Sequence, residues 1–149
     1  MEFRKFDRSR VDLVAYVKEY VEKFPNTEIL IGCDSQNIGR YTSYAVVVVL
    51  YEPGHGGHVI YRKQKENRER NRATRLMNEV WKSVEVANLL KENGLNIKYI
   101  DIDINPNPKF KSNEVYESAY GLVKGCGFEC RYKTLAPLCT TMADYMARK

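Results

Sequence analysis

The order of the strand-like and helix-like segments constrains the fold of this chain more than any other feature. Residues 28–34, 41–51 and 58–63 are rich in β-branched and aromatic residues, and the last two are separated by the strong turn signal "EPGHGG". They predict three strands, of which the second and third form a hairpin. The first strand is expected beside them in an antiparallel meander.

Helix and strand patterns alternate after this meander. Helical periodicity predicts a long helix over about 66–93, and "LNIKYIDIDIN" predicts a fourth strand. A helix ending near Lys124, a fifth strand at "GFECRYKT" and a last helix after Pro137 follow. A meander followed by such crossovers predicts an α/β fold, with a mixed five-stranded sheet flanked by helices.

The length of 149 residues predicts a single domain, 1–149. Apolar residues at loose helical spacing predict a first helix from about Arg8 to Lys23, which Pro25 and Asn26 terminate. We therefore expect an N-terminal helical extension over 1–26 and the core over 27–149.

The net charge indicates what kind of partner the protein binds, and the lengths of the apolar runs indicate where in the cell it is located. A net charge of +5 and a pI of about 9.0 favour a polyanionic partner, of which nucleic acid is the commonest. No apolar run approaches the roughly 20 residues of a membrane helix, and the N-terminus lacks the apolar core of a signal peptide. We expect a cytoplasmic protein with no membrane contact and with reduced cysteines. Without a CxxC pair, a structural zinc site is not expected.

Carboxylates stand at two predicted strand ends. Asp34 closes the apolar run in "ILIGCDSQN", and alternation in "KYIDIDIN" places Asp101 and Asp103 on the face opposite the isoleucines. Asp101 and Asp103 are explained either by an exposed sheet face or edge strand, or by a bound cation. If the two strands are parallel neighbours, Asp34 and Asp103 converge, and hard Mg²⁺ or Mn²⁺ would relieve their repulsion.

Two helices offer further acidic ligands. Glu79 and Glu85 both flank the apolar stripe of the long helix, so periodicity does not choose between them. Asp144 lies in the last predicted helix. Taken singly, each of these side chains is more typical of a solvated surface position than of a ligand.

The chain resembles the predicted nucleases of the YkuK family, which have an RNase H-like fold. The matching pieces are "IGCDSQ" around Asp34, "RLMNE" ending at Glu79, "DID" ending at Asp103 and "TTMADYMAR" around Asp144. The match favours Glu79 over Glu85 and implies the strand order 3-2-1-4-5. In two departures, Asp101 stands where a histidine is usual, and "NPNPKFKSN" replaces a glycine-led turn.

The resemblance implies a metal-dependent nuclease that hydrolyses phosphodiester bonds in RNA or DNA by a two-metal mechanism, with two Mg²⁺ or Mn²⁺ ions. It implies Asp34 as the bridging ligand, Asp103 and Glu79 on one side and Asp144 on the other. Asp101 would be an outer base or a substitute ligand. Cleavage of a junction would usually need a homodimer.

Cations near these carboxylates are candidate phosphate contacts, which give affinity without sequence choice. One group of cations surrounds the start of the long helix, and the other follows Asp103. For the first group, the alternative is a solvated helix start stabilised by i, i+4 ion pairs. Tyr41 and Tyr44 could stack on bases, although strand tyrosines more often pack. The rival function is a non-catalytic nucleic-acid-binding module. The candidate contacts are Arg62, Lys63, Lys65, Arg68, Arg72, Arg75, Lys109 and Lys111.

Overall fold

The computed structural model describes residues 1–102 and 115–132. These ranges contain three helices and seven strands. In chain order they are β1 (Glu2–Arg4), β2 (Arg10–Asp12), α1 (Leu13–Lys23), β3 (Glu28–Ile38), β4 (Tyr41–Glu52), β5 (Gly56–Asn67), α2 (Arg72–Glu92), β6 (Ile97–Ile102), α3 (Tyr116–Gly125) and β7 (Cys130–Tyr132).

The strands form one seven-stranded sheet in the order β2-β1-β5-β4-β3-β6-β7. Strands β3, β4 and β5 are an antiparallel meander, while β6 runs parallel to β3 and β7 runs parallel to β6. The predicted α/β fold is confirmed, because the last five strands of that order reproduce 3-2-1-4-5. The predicted count of five is too low by the two N-terminal strands.

The predicted N-terminal helix is present and ends at Lys23 as expected, but its predicted start at Arg8 is wrong. Residues 2–12 form an antiparallel β1–β2 hairpin that joins the sheet through the pair Arg4↔Tyr61. The strand form is favoured because Phe3 enters the core while its neighbours point away. Helix α1 begins at Leu13, where the Asp12 carboxylate accepts a hydrogen bond from the Ala15 amide at 3.1 Å.

The predicted start of the long helix at about residue 66 is also wrong. Strand β5 pairs with β4 along its whole length, up to Tyr41↔Asn67, so these residues stay extended. Helix α2 begins only at Arg72, after Asn71, whose side-chain oxygen accepts from the Thr74 amide at 2.9 Å. Cross-strand pairing therefore overrides the helical periodicity of this charged segment.

Alternation gives the sheet two different sides. On the helix face, Ile31, Val48 and Ile100 are fully buried in one core with residues of all three described helices. The opposite face carries a smaller apolar cluster that includes Leu30 and Val47. Among the described helices, none combines the length and the apolar composition that a membrane crossing requires.

Strand β6 divides its side chains between these faces as predicted. Ile100 and Ile102 are in the helix-face core, and Asp101 points to the opposite face. Asp101 is nevertheless only 2% exposed, since β6 lies between β3 and β7. The alternative explanation by an exposed face or an edge strand is therefore wrong for Asp101.

Candidate active site

Asp34 lies inside strand β3 rather than at its end. The pairing with β4 continues through Ile38↔Tyr41, while the described parallel pairing with β6 stops at Gly32↔Asp101. Asp34 comes just after that last pair and is only 6% exposed. The continuous ladder with β4 holds this carboxylate on rigid backbone at the point where the described part of β6 ends.

Glu79 of helix α2 contacts Ser35, the residue that follows Asp34 in β3. It is 4% exposed, and the Ser35 hydroxyl donates a short hydrogen bond to its Oε2. One turn earlier, Arg75 Nη1 donates to both the backbone oxygen and the Oγ of Ser35, each at 3.2 Å. Helix α2 thus holds Ser35 from two positions and fixes the orientation of the Glu79 carboxylate.

A polar network places the start of helix α2. Thr42 Oγ1 donates to Asn37 Oδ1 at 2.5 Å and accepts from the Glu69 amide at 2.9 Å. Asn37 Nδ2 donates to the Glu69 carbonyl at 3.2 Å, and the Asn71 amide donates to the Glu69 carboxylate at 3.0 Å. The loop before α2 is thereby tied to the β3–β4 hairpin, which brings Glu79 to Ser35.

Both carboxylates act electrostatically on the buried thiol of Cys33. Burial raises the pKa of the Cys33 thiol well above its usual value, and the negative charges of Glu79 and Asp34 raise it further. Cys33 is therefore a neutral thiol and not a nucleophile. Asp34 and Glu79 therefore both lie close to the same short stretch of β3.

Asp101 has a charged partner on the opposite face. Arg131 of β7 donates from Nε to Oδ1 at 2.8 Å and from Nη2 to Oδ2 at 3.1 Å. The Arg131 guanidinium carbon also lies 4.5 Å from the centroid of the Tyr99 ring. This forked ion pair compensates the burial of Asp101. Arg131 was not predicted from the sequence, because its place beside Asp101 depends on the register between β6 and β7.

The described chain brings together only part of the predicted acidic set. Asp103 and Asp144 lie outside the described residues. Glu85 is exposed on α2, and Glu79 is buried against β3. Within residues 1–102 and 115–132, no group of three or more histidine, cysteine, aspartate or glutamate side chains is arranged to hold a metal ion.

The predicted basic residues do not form one cluster, because β5 extends to Asn67 and its side chains alternate between the two faces of the sheet. Lys63 and Lys65 alternate with Arg62 along this strand, so they point to opposite sides of the sheet. Arg68 Nη1 donates to the Gly39 carbonyl at 2.8 Å, and Arg75 is engaged with Ser35. Arg72 is exposed at the first turn of α2, while Lys109 and Lys111 lie outside the described residues.

The two tyrosines considered for base stacking differ in access. Tyr44 is 1% exposed, and its hydroxyl accepts from Asn78 Nδ2 at 3.1 Å. Lys82 Nζ lies 4.7 Å from the centroid of the Tyr44 ring, so the ring as well as the hydroxyl contacts α2. Tyr44 is a packing residue, and only Tyr41 is exposed.

Comparison with known proteins identifies the fold family. The N-terminal RNase H domain of a Mycobacterium tuberculosis protein, solved as a fusion with maltose-binding protein, is 15% identical, with a TM-score of 0.40 over 82% of this chain and 96% of that one. RNase H1 from the halophilic archaeon Halobacterium salinarum NRC-1 is 16% identical, with a TM-score of 0.38 over 80% and 99%. No curated protein matches. The family model for ribonuclease H-like proteins matches residues 12–148, so the chain belongs to the ribonuclease H-like family.

Proposed function

We propose that this protein is a metal-dependent nuclease that hydrolyses phosphodiester bonds in RNA or DNA. One observation carries the proposal: two buried carboxylates, Asp34 and Glu79, reach the same stretch of strand β3 from separate elements of a ribonuclease H-like chain. Buried carboxylates are costly unless they are compensated, and they concentrate at functional sites.

The donor set suits Mg²⁺ or Mn²⁺. Asp34 and Glu79 supply hard carboxylate oxygens, and Asp103 and Asp144 would complete the ligands. Ser43 is a diagonal cross-strand neighbour of Asp34 on the same face. Its buried hydroxyl has no hydrogen-bond partner among the described residues, and such an atom can bind a water or phosphate oxygen. Two bound ions would make an attacking water more acidic and would stabilise charge on the leaving oxygen.

The surrounding residues position these carboxylates. Ser35 and Arg75 fix the rotamer of Glu79, and the β3–β4 ladder fixes Asp34. Asp101 already compensates Arg131, so we assign it to holding β6 against β7 rather than to the ligand set. Phosphates of the substrate would be met by cations that include Lys63, Lys65 and Arg72, with Lys109 and Lys111 as further candidates.

A cleavage assay tests the proposal. Wild type and Asp34→Asn would be incubated with labelled single strands, duplexes, RNA–DNA hybrids and four-way junctions, in Mg²⁺, Mn²⁺ or EDTA. We expect metal-dependent cleavage that Asp34→Asn abolishes, because this variant keeps the side-chain shape and removes the charge. Cleavage retained in Asp34→Asn would overturn the site. Binding without cleavage by folded wild type would instead favour the non-catalytic nucleic-acid-binding module.

Finer expectations stay predictions. They are membership of the YkuK family, the two-ion stoichiometry, a cytoplasmic location and the organisation of 1–149 as one domain. A homodimer is expected only if the cleaved substrate is a junction.

A further inference from the structure

An exposed apolar pair closes the β3–β4 hairpin. Ile38 and Tyr41 are direct cross-strand partners, so their side chains lie side by side on one face of the sheet. Ile38 is 50% exposed and Tyr41 is 51% exposed. Single exposed apolar side chains are common on protein surfaces, but alternation along β3 puts this pair on the same face as Asp34. The pair is therefore an exposed apolar surface beside the candidate active site.

The pair lies close enough to Asp34 to contact the same nucleic-acid strand. Ile38 follows Asp34 by four residues of β3, and a rise of roughly 3.3 Å per residue separates their Cα atoms by about 13 Å. About four stacked nucleotides, at roughly 3.4 Å each, span the same distance. A strand cleaved at Asp34 would therefore reach the Ile38–Tyr41 pair within a few nucleotides.

The hairpin turn holds this pair in place. Gly39 has a φ of 58°, which suits the first central residue of a tight type II′ turn, and Arg40 is the second. The Arg68 amide donates to the Arg40 carbonyl at 3.0 Å, and the Arg68 guanidinium donates to the Gly39 carbonyl at 2.8 Å. The turn is thus tied to the residue that follows β5. A surface that is fixed before binding loses little entropy when it takes a ligand.

The charge on this face favours an anionic ligand. Lys65 of β5 lies diagonally across from Tyr41 on the same face, and it makes no ion pair with the described residues. The carboxylate of Glu66 points to the helix face instead, where it accepts from Lys82 Nζ at 2.5 Å. The Glu69 carboxylate accepts from a backbone amide of the loop before α2. An aromatic ring beside an uncompensated cation suits the base and the phosphate of one nucleotide strand.

We propose that Ile38 and Tyr41 form a stacking platform for an unpaired nucleobase, and that Lys65 contacts a phosphate of the same strand. Every base has a π-face that can stack on the ring of Tyr41, so this contact does not select a sequence. It needs a base that has left the duplex, which makes the substrate a single strand or the single-stranded part of a branched molecule. This inference rests on the proposed function, because it takes nucleic acid as the partner, and it narrows the class of substrate.

Nucleic-acid binding in EDTA tests the platform apart from metal-dependent cleavage. The probes are a labelled oligothymidylate of about 16 nucleotides and a blunt duplex of the same length, each at several salt concentrations. The variants are Tyr41→Ala, Tyr41→Phe and Lys65→Gln. The matched control is Tyr51→Ala, because Tyr51 lies on the same strand and face, is 36% exposed, and is about 33 Å from Tyr41. Thermal melts verify that each variant is folded.

We expect Tyr41→Ala to weaken single-strand binding by about five- to 150-fold and to leave duplex binding within about twofold of wild type. Tyr41→Phe, which keeps the ring, and Tyr51→Ala should both bind the single strand within about twofold of wild type. The dependence of log K on log salt should become less steep by about 0.7 in Lys65→Gln and stay unchanged in Tyr41→Ala, because only the lysine loses a phosphate contact.

An equal loss of single-strand binding in Tyr51→Ala or Tyr41→Phe, an equal loss on the duplex, or no single-strand binding by folded wild type would overturn the platform. An unchanged salt dependence in Lys65→Gln would overturn the phosphate contact. A wild-type dimer that Tyr41→Ala dissociates in sedimentation experiments would overturn the platform by assigning the pair to a protein contact.

The platform and the nuclease proposal can fail separately. Metal-dependent cleavage by wild type, with unchanged single-strand binding in Tyr41→Ala, would overturn the platform and leave the nuclease proposal intact. The expected loss in Tyr41→Ala, in a protein that cleaves none of the substrates, would support the platform and overturn the nuclease proposal.

Discussion

The two faces of the sheet use the same strands for different purposes. On the helix face, residues such as Ile31, Val48 and Ile100 are covered by helices, and the polar contact of Ser35 with Glu79 is made near the end of the apolar core. On the opposite face, an apolar cluster is flanked by the Asp101–Arg131 pair and by cations near β1. The apolar residues that stabilise the fold are therefore largely different from the charged residues of the opposite face, and the two sets can be mutated separately.

The largest expected effect is a loss of stability from the helix face. Ile100→Ala removes a fully buried side chain and should lower the free energy of unfolding by about 2–5 kcal/mol. Urea denaturation followed by circular dichroism would measure this change. If Ile100→Ala were as stable as wild type, the helix-face core would not be the main source of stability.

A smaller effect is expected from the charged pair on the opposite face. Asp101→Asn leaves Arg131 without its carboxylate, and because the Arg131 side chain is 22% exposed, we expect a loss of about 1–3 kcal/mol rather than the full cost for a buried pair. The matched control is Glu28→Gln, which breaks the exposed Lys98–Glu28 contact between β6 and β3 and should cost less than about 1 kcal/mol.

A double-mutant cycle that adds Arg131→Gln would isolate the coupling between Asp101 and Arg131. Equal losses in Asp101→Asn and Glu28→Gln would contradict the structural role assigned to this pair. Loss of cleavage without loss of stability in Asp101→Asn would return Asp101 to the candidate ligands.

The sequence predicted the parts of the fold that depend on local pattern. Alternation placed Ile100 and Asp101 on different faces, and the turn at "EPGHGG" gave the β4–β5 hairpin. The start of α2 was missed because the polar residues 66 and 67 fit the start of a helix, and their pairing with β4 is a contact between distant segments. The β1–β2 hairpin was missed because three-residue strands are too short for a period to appear.

Only those parts of the candidate site that depend on residue type and spacing could be predicted from the sequence. Asp34 follows an apolar run, but Glu79 and Glu85 are equivalent by helical angle. The family resemblance favoured Glu79, and the packing distinguishes the two glutamates physically, because Ser35 and the network around Thr42 set the rotation of α2. The partner of Asp101 likewise depends on strand register, which the sequence does not display.

The smallest expected effect is a pH dependence at the edge of the helix face. His58 stacks against the rings of Tyr16 and Tyr20 of α1, and burial lowers the pKa of His58, with a further contribution from Lys5. The unfolded state therefore binds more protons than the folded state as the pH falls below about 6.5. Stability from this residue is present above that pH and is lost as the pH falls through the folded pKa.

Thermal melts between pH 7.5 and 5.5 would measure this dependence. We expect the melting temperature of wild type to fall more than that of His58→Gln over this interval. His55→Gln, in the exposed turn, serves as the control and should follow wild type. A parallel decline in all three proteins would rule out a contribution from His58.

The most direct test of the central claim compares the two glutamates of helix α2. Glu79→Gln and Glu85→Gln make the same chemical change six residues apart, one at the buried contact with Ser35 and one on the exposed surface. Cleavage rates at increasing Mn²⁺ concentration would be measured for both, with thermal melts to verify folding. We predict that Glu79→Gln abolishes cleavage or raises the Mn²⁺ requirement, while Glu85→Gln behaves as wild type. Normal cleavage and Mn²⁺ dependence in Glu79→Gln would contradict the assignment of the active site to the carboxylates around β3.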